Sequence, residues 1–210
     1  INAEKIETDQ LINELKSVDG ILIPGGFGYR GVEGKIQAIK FARENDIPFF
    51  GICLGMQLSV IEISRNLMGK QDSNSTEFKT SNNPVVSLMT EWNNENKTEK
   101  RDLTSDKGGT MRLGSYRAVL KKGSKIHNIY NSDEISERHR HRYEVNLSYT
   151  KDFEQKGFHF SGMSPDNILP EVIESVNHKW FIGVQFHPEL KSRPLAPHPL
   201  FSSFIKHCIK

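Results

Sequence analysis

The stretch FFGICLGMQ at residues 49–57 decides the fold. Apolar residues typical of a buried strand lead directly into Cys53, and a helical pattern follows. Gly51 and Gly55 flank the cysteine, and glycine relieves the crowding of a sharp strand-to-helix turn. This pattern is typical of a nucleophile elbow, with a thiol in place of the more usual hydroxyl. We therefore expect Cys53 at the carboxyl edge of the sheet of an α/β fold, where the helix amides lower the pKa of its thiol.

A second apolar strand lies in WFIGVQFHPE, residues 180–189, and ends in a histidine and a glutamate. His187 and Glu189 are two positions apart, so their side chains share one face of an extended segment. Pro188 between them disfavours a helix. A base beside a cysteine, itself oriented by a carboxylate, is the general form of a nucleophilic triad. The alternative is a buried cysteine and a surface histidine that never meet. Two strand-end motifs in one chain favour the triad.

A third apolar strand stops at the glycine-rich turn PGGFG, residues 24–28. The turn lacks the Lys-Ser/Thr ending of a Walker sequence, and its glycines do not fit the dinucleotide fingerprint. A loop of this kind lets the backbone approach a substrate oxygen, so we predict that the N–H groups of Gly26 and Leu54 form an oxyanion hole. A flexible turn without a further role is the alternative.

Together, the three motifs resemble those of a class I, triad-type glutamine amidotransferase domain. Further blocks, in the same order along the chain, are similar to the glutaminase domain of CTP synthases. They are YRGVEGK (29–35), NSTEF (74–78), GTMRLG (109–114) and RHRHRYEVN (138–146). The resemblance extends from about residue 18 to the C terminus.

The resemblance implies that the domain hydrolyses L-glutamine to glutamate and ammonia through a thioester on Cys53, with His187 and Glu189 as the other catalytic residues. An N-terminal synthase domain of the same polypeptide would use the ammonia to aminate UTP to CTP. The implied glutamine-binding residues are Gly26, Leu54, Gly55, Met56, Gln57, Glu77, Arg142 and Tyr143. Glu77 would meet the α-ammonium with help from Gln57. Arg142, which offers carboxylates a bidentate fork, would hold the α-carboxylate with the backbone of Tyr143.

Two other functions stay open. One is a free-standing hydrolase of the same fold, such as a γ-glutamyl peptidase, although the NSTEF and RHRHR blocks speak against it. The other is an assembly module with an inactive triad, although the presence of all three triad residues speaks against it. The synthase domain is the feature that discriminates between them.

The same resemblance implies that GTP activates glutamine hydrolysis allosterically through a lid over the site. We associate Tyr29, Arg30 and Glu33 with this lid, and a solvent-facing lead-in to a helix is the alternative. No metal ion or organic cofactor is expected in this domain, since two histidines among three arginines in RHRHR do not favour a metal site. ATP and Mg²⁺ would belong to the synthase domain, and the full-length enzyme would be a homotetramer.

Composition narrows the class of protein. The chain has 28 Lys and Arg against 26 Asp and Glu, which gives a net charge of +2. A net charge this small does not indicate binding to nucleic acids or membranes. No apolar stretch approaches the roughly 20 residues of a membrane span. Two cysteines, one needed as a thiolate, favour the reducing cytoplasm, and Cys208 is interpreted as inert.

Alternating helices and strands predict one domain over residues 1–210 with a three-layer α/β fold. Its central sheet would be mostly parallel and flanked by helices, flavodoxin-like as in class I amidotransferases, with short antiparallel strands in addition. Predicted helices cover about residues 7–16, 34–44 and 56–67, and later short strands 85–89, 117–120, 143–147, 158–161 and 171–175. The polar stretch 93–102 predicts a solvated loop. By the resemblance, the first strand and helix of the domain and the synthase domain would lie upstream of residue 1.

Overall fold

The structure is a computed structural model that describes residues 1–5, 9–88, 91–94, 97–100 and 111–209. Its helices are α1 (Asp9–Leu15), α2 (Val32–Glu44), α3 (Leu54–Asn66), α4 (Lys125–Tyr130), α5 (Thr150–Gln155) and α6 (Pro199–Cys208). Its strands are β1 (Ile21–Ile23), β2 (Phe49–Ile52), β3 (Asn74–Ser75), β4 (Pro84–Leu88), β5 (Glu91–Asn94), β6 (Lys97–Lys100), β7 (Arg112–Leu120), β8 (Glu134–His141), β9 (Tyr143–Val145), β10 (Phe158–Met163), β11 (Pro170–Ser175) and β12 (Phe181–Val184). None of the helices in the described residues is long and apolar enough to cross a bilayer.

The central sheet has seven strands in the order β1-β2-β12-β11-β10-β7-β8. The strands β1, β2 and β12 run parallel to one another, and each of the other four neighbouring pairs is antiparallel. The sheet is therefore mixed. The predicted short antiparallel strands are confirmed, but they belong to the central sheet, so that this sheet is less parallel than predicted. Residues 164–169 and 176–180, which join β10 to β11 and β11 to β12, are too few for the crossover that parallel neighbours need.

Helices cover both faces of this sheet, so the predicted three-layer α/β architecture is confirmed. Phe49 and Phe181 point into a core that they share with α2, α3 and α5. Their neighbours Phe50 and Ile182 point to the opposite side, into a core shared with α4 and α6. Side chains alternate between the faces of a strand, so apolar strands of this kind bury both faces at once.

A smaller sheet of β3, β4 and β9 packs against α3. Outside it, β5 pairs with β6 in an antiparallel ladder in which Glu91 is opposite Lys100. The prediction of a solvated loop over residues 93–102 is therefore wrong at 93–94 and 97–100, because these residues pair with each other. Residues 95, 96 and 101–110 lie outside the described residues, as does Met89 at the end of one predicted strand.

The ends of several predicted elements also change. α3 begins at Leu54, directly after the cysteine. β7 begins at Arg112, five positions earlier than predicted, because the charged Arg112 is buried with partners rather than solvated. The strand β8, which holds most of RHRHR, was not predicted, and α4 and α5 are too short to give a clear helical period.

Candidate active site

Cys53 occupies a strained turn between β2 and α3. Its backbone has φ 52° and ψ −102°, which non-glycine residues rarely adopt, and its N–H donates to the Val184 carbonyl at 2.7 Å. The flanking glycines are sterically required. A Cβ at Gly51 would lie 2.7 Å from the carbonyl of Gly55, and a Cβ at Gly55 would lie 2.2 Å from the Ile23 carbonyl oxygen. The turn thus has the geometry of a nucleophile elbow.

The predicted histidine–glutamate pair forms just beyond β12. Nδ1 of His187 lies 2.6 Å from Oε1 of Glu189. The carboxylate can only accept, so the proton is on Nδ1 and Nε2 is left as an acceptor. That Nε2 is buried and has no hydrogen-bond partner among the described residues. Burial alone would raise the pKa of Glu189, but the hydrogen bond from His187 holds it below its usual value.

The glycine-rich turn lies against both halves of this site. A Cβ at Gly25 would come within 2.7 Å of Cε1 of His187 and 3.5 Å of the Cβ of Cys53. A Cβ at Gly26 would lie 3.3 Å from the side chain of Leu54. A side chain at Gly25 would therefore collide with His187, and one at Gly26 would crowd the side chain of Leu54.

The Cys53 thiol does not have the lowered pKa expected from the sequence. Burial raises its pKa to about 12, since only 2% of the residue is exposed. The Leu54 amide favours the thiolate, but the carboxylates of Glu144, Glu189 and Glu77 oppose it. The helix terminus thus lowers the pKa of the thiol as predicted, but desolvation raises it by more. The thiol is neutral at pH 7, so it needs a base to become a nucleophile.

Two of the residues expected to bind glutamine are tied to each other. Nε2 of Gln57 donates to the Tyr143 carbonyl at 2.9 Å and lies 3.1 Å from Oε1 of Gln185. The same Tyr143 carbonyl accepts from Nδ1 of His141 at 3.2 Å. The side chain of Gln57 therefore fixes the start of β9 next to the elbow. Gln185 was not identified from the sequence, although a polar residue within an apolar run of sequence is a signal for such a role.

The other expected glutamine contacts border the same region. Oε1 of Glu77 accepts a hydrogen bond from the N–H of Gly28 at 2.8 Å, which links NSTEF to the glycine-rich turn. Glu77 and Arg142 are both half-buried. Gly55 and Met56 are buried in the first turn of α3. A cavity of about 490 Å³, lined among others by Gly25, Gly26, Phe27, Arg140, His187 and Glu189, adjoins the triad.

The predicted lid is largely helical. Residues 32–35 form the first turn of α2, and Glu33 there accepts hydrogen bonds from Arg65, the shorter at 2.8 Å. These four residues therefore belong to the helix itself, and Val32 and Gly34 among them are buried. Tyr29 and Arg30 precede the helix and are exposed, and Arg30 forms a surface ion pair with Glu4 at 2.6 Å.

A buried polar network next to the site was not predicted from the sequence. Arg112, 2% exposed, contacts Oε1 of Glu171 at 2.5 Å and Oε1 of Glu144 at 3.6 Å. Burial lowers the pKa of His139 well below its usual value, and the Arg112 charge adds to this. His139 is therefore neutral, and its Nδ1 lies 2.9 Å from Nε2 of His141. The two imidazoles contact each other, and the described residues include no group of three or more His, Cys, Asp or Glu that could hold a metal ion.

A sequence signal for this network does exist in β8. Its residues alternate strictly between exposed and buried, with Glu137, His139 and His141 inside and Arg138 and Arg140 outside. An alternation of two kinds of polar residue indicates that a strand has two different faces. The inward residues then predict a polar interior, since buried charges need partners.

Comparison with known proteins identifies the family of the chain. The family model of glutamine amidotransferase class-I matches residues 1–207. The CTP synthases of Paramagnetospirillum magneticum and Brucella anthropi are 56% and 59% identical to the chain over 210 residues, which are 100% of this chain and 39% of each relative. A solved structure, the glutaminase domain of Trypanosoma brucei CTPS with bound acivicin, matches with a TM-score of 0.88 and 39% identity, over 99% of this chain and 78% of that one. The chain thus belongs to the glutamine amidotransferase class-I family, with the glutaminase domains of CTP synthases as its relatives within it.

Proposed function

We propose that this domain hydrolyses L-glutamine at Cys53 and supplies the ammonia to a synthase domain of the same polypeptide. One observation carries the proposal. The elbow at the end of β2 and the His187–Glu189 pair after the neighbouring parallel strand β12 lie beside the same glycine: a Cβ at Gly25 would come within 2.7 Å of Cε1 of His187 and 3.5 Å of the Cβ of Cys53. Parallel neighbours place their carboxyl ends at one edge of a sheet, which is where α/β proteins bind ligands.

The first step is nucleophilic attack. Sγ of Cys53 attacks the side-chain carboxamide carbon of glutamine while its proton passes to Nε2 of His187, the acceptor left by the hydrogen bond to Glu189. The raised pKa of Cys53 supports transfer during attack, since little thiolate exists beforehand. Glu189 holds the imidazole in the required tautomer and stabilises the imidazolium that forms.

The second step is collapse of the tetrahedral intermediate. The N–H of Leu54, in the first turn of α3, has no intrahelical acceptor and together with Gly26 would stabilise the oxyanion. Each such donor is typically worth about 3 to 4 kcal/mol. His187 returns its proton to the leaving nitrogen, ammonia departs and a glutamyl thioester remains on Cys53. Water activated by His187 then attacks the thioester, and glutamate leaves as the thiol is restored.

Recognition of the amino-acid end of glutamine is assigned to Glu77 and Arg142. Glu77 would bind the α-ammonium, and its support is twofold: it contacts the glycine-rich turn and is close enough to raise the pKa of Cys53. Arg142 would bind the α-carboxylate, with Gln57 and the backbone of Tyr143 completing this end of the site. The fixing of the Tyr143 carbonyl by Gln57 supports a rigid cradle there.

The activity of the whole protein is also a proposal, because the chain spans 39% of the length of the curated relatives. We propose that ammonia aminates UTP to CTP in the synthase domain with ATP and Mg²⁺, that GTP activates hydrolysis, and that a homotetramer works in the cytoplasm. The names of the relatives support the reaction. The need for a reduced Cys53 supports the compartment.

Covalent labelling tests the glutaminase site. The protein is incubated with an electrophilic glutamine analogue, and intact mass with peptide mapping locates the adduct. We expect one adduct on Cys53 that excess glutamine prevents, with Cys208 unlabelled as the internal control. No adduct on Cys53, or one that glutamine does not prevent, would contradict the proposal.

A second assay tests the coupling to CTP formation. In the full-length protein, Cys53→Ala should abolish CTP formation from glutamine and leave CTP formation from added ammonium unchanged. A protein that hydrolyses glutamine but forms CTP from neither nitrogen source would instead be a free-standing hydrolase.

A further inference from the structure

The segment 187–198 carries two of the three triad residues and has little regular structure. It begins where the His187 N–H donates to the Arg138 carbonyl of β8 at 2.7 Å, and it ends at His198, the N-cap of α6. The side chain of Glu189 is 44% exposed, so burial does not fix its position. The 2.6 Å contact between His187 and Glu189 therefore depends on what holds the segment in place.

One buried carboxylate holds this segment at two points, one inside it and one at its end. Glu137 of β8 is 2% exposed. Its Oε1 accepts from Nζ of Lys191 at 3.0 Å, from Nε2 of His198 at 3.1 Å and from the Tyr130 hydroxyl at 3.2 Å. Lys191 comes two residues after Glu189 and also donates to the Ser136 carbonyl at 2.7 Å.

The protonation states of these groups agree with three donors on one anionic oxygen. Nδ1 of His198 accepts from the Leu200 N–H at 3.3 Å, so its proton is on Nε2 and faces Glu137. Burial and the Glu137 charge raise the pKa of Tyr130, which keeps its hydroxyl as a donor. Burial would raise the pKa of Glu137, but the bonds from His198 and Lys191 lower it below its usual value.

A buried charge keeps its place only while its partners keep theirs, because an unpaired carboxylate in the interior is costly. We propose that Glu137 is a positioning residue for the triad, which fixes the segment 187–198 at Lys191 and at His198 so that Glu189 keeps its hydrogen bond to His187. The inference rests on the proposed glutaminase function. Glu137 acts through Lys191 and His198 and does not touch the groups assigned to glutamine.

Two variants and a matched control test this inference in the full-length protein. Glu137→Gln removes the charge with little change of shape, and Lys191→Met removes the ammonium but keeps the aliphatic stem. Each should lower kcat for glutamine hydrolysis about 10- to 100-fold, the usual cost of a small misplacement of catalytic groups, with KM nearly unchanged. Glu134→Gln is the control, because Glu134 lies on the same strand but is exposed and pairs with Arg117 at the surface. It should keep the parent kcat.

Coupling between the two positions separates positioning from general damage. If Glu137 acts through Lys191, the kcat of the double variant should be no lower than that of the less active single variant. Urea unfolding of each variant shows that the comparison is made on folded protein. If Glu137→Gln does not fold, Lys191→Met carries the test, since its side chain is 43% exposed.

A parent-like kcat in Lys191→Met would overturn the inference, and so would a loss in KM rather than kcat. Multiplicative losses in the double variant would overturn it too. These results differ from failure of the proposed function, in which the parent protein would not hydrolyse glutamine or Cys53→Ala would still do so.

Discussion

The parallel and antiparallel parts of the central sheet contribute to the site in different ways. In the parallel part, β2 and β12 are apolar, and Phe49, Phe50 and Phe181 are fully buried. In the antiparallel part, β7, β8 and β11 bury Arg112, His139 and Glu171. The groups proposed to react follow the apolar strands, whereas the buried polar groups next to them lie within the antiparallel strands.

The difference shows that two kinds of interaction, backbone packing and the pairing of buried charges, hold the candidate active site in place. The elbow geometry comes from backbone packing, because helices on both faces bury β2 and β12 and leave no freedom for the turn that follows. The antiparallel part instead stabilises charges inside the protein, which is possible only when each has a partner. The two parts should therefore respond differently to substitution.

The largest effect is expected at the end of the parallel part. Cys53→Ala removes the nucleophile and should lower glutamine hydrolysis by about 10⁶-fold, as loss of a nucleophile does in other triads. Glutamine binding, measured by equilibrium dialysis, should persist, because the groups assigned to its amino-acid end are intact. Cys208→Ala is the control and should be fully active. Turnover by Cys53→Ala would contradict the assignment.

The antiparallel part should respond most strongly to loss of its central cation. Arg112→Met leaves the buried Glu171 without its partner and should lower the free energy of unfolding by about 3–5 kcal/mol. Arg117→Met on the same strand removes only an exposed ion pair and should cost less than about 1 kcal/mol. Urea denaturation measures both. Equal losses would mean that burial of the charge is not the cause.

Glycine substitution sharpens the account of the parallel part. Gly55→Ala places a methyl group 2.2 Å from the Ile23 carbonyl and should cost about 3 kcal/mol in unfolding free energy, with loss of hydrolysis as the elbow shifts. Gly69→Ala is the control, since φ is +71° there and no atom lies within 4 Å of its Cβ. It should cost about 1–2 kcal/mol through backbone strain alone and keep the parent kcat. Similar activity in the two variants would argue against a steric role for Gly55.

The smallest effect concerns pH. The folded protein holds the Cys53 proton up to about pH 12, whereas an unfolded thiol ionises near pH 8.5. Below that value the thiol contributes no pH dependence, and as pH rises towards 12 the unfolded state gains stability by releasing the proton. Between pH 7 and 10 the parent should lose about 1–2 kcal/mol more unfolding free energy than Cys53→Ala. Parallel curves for the two proteins would contradict the raised pKa.

Predictability from the sequence follows the same division. The apolar runs before Cys53 and His187 are local patterns, so the elbow, the strand-end pair and the α/β class could be predicted. The polar stretch 93–102 was predicted as a loop because its pairing of β5 with β6 has no apolar signal. The sheet is mixed because short connections join β10 to β11 and β11 to β12. The sequence did not define the strand ends well enough to show how short these connections are.

The site shows the same limit. The order of motifs along the chain assigned the triad, but no local pattern gives the distance between segments about 130 residues apart. The sign of the pKa shift at Cys53 was wrong because burial is a sum over the whole fold, whereas the helix amide is a local feature. Gln185, Arg112 and Glu137 were missed as site residues because their partners lie far away along the chain, on other elements.

The sequence by itself determined the cysteine elbow, the histidine–glutamate pair proposed as its catalytic partners, the glycines that make room around them and the family of the domain. These features depend on residue type and on spacing within a few positions. The tertiary structure alone decided the neutral state of the Cys53 thiol, the tie between Gln57 and Tyr143, and the anchoring of segment 187–198 by Glu137. Burial and long-range hydrogen bonds arise only when distant segments pack together, and they set the free energy of every charge at the site.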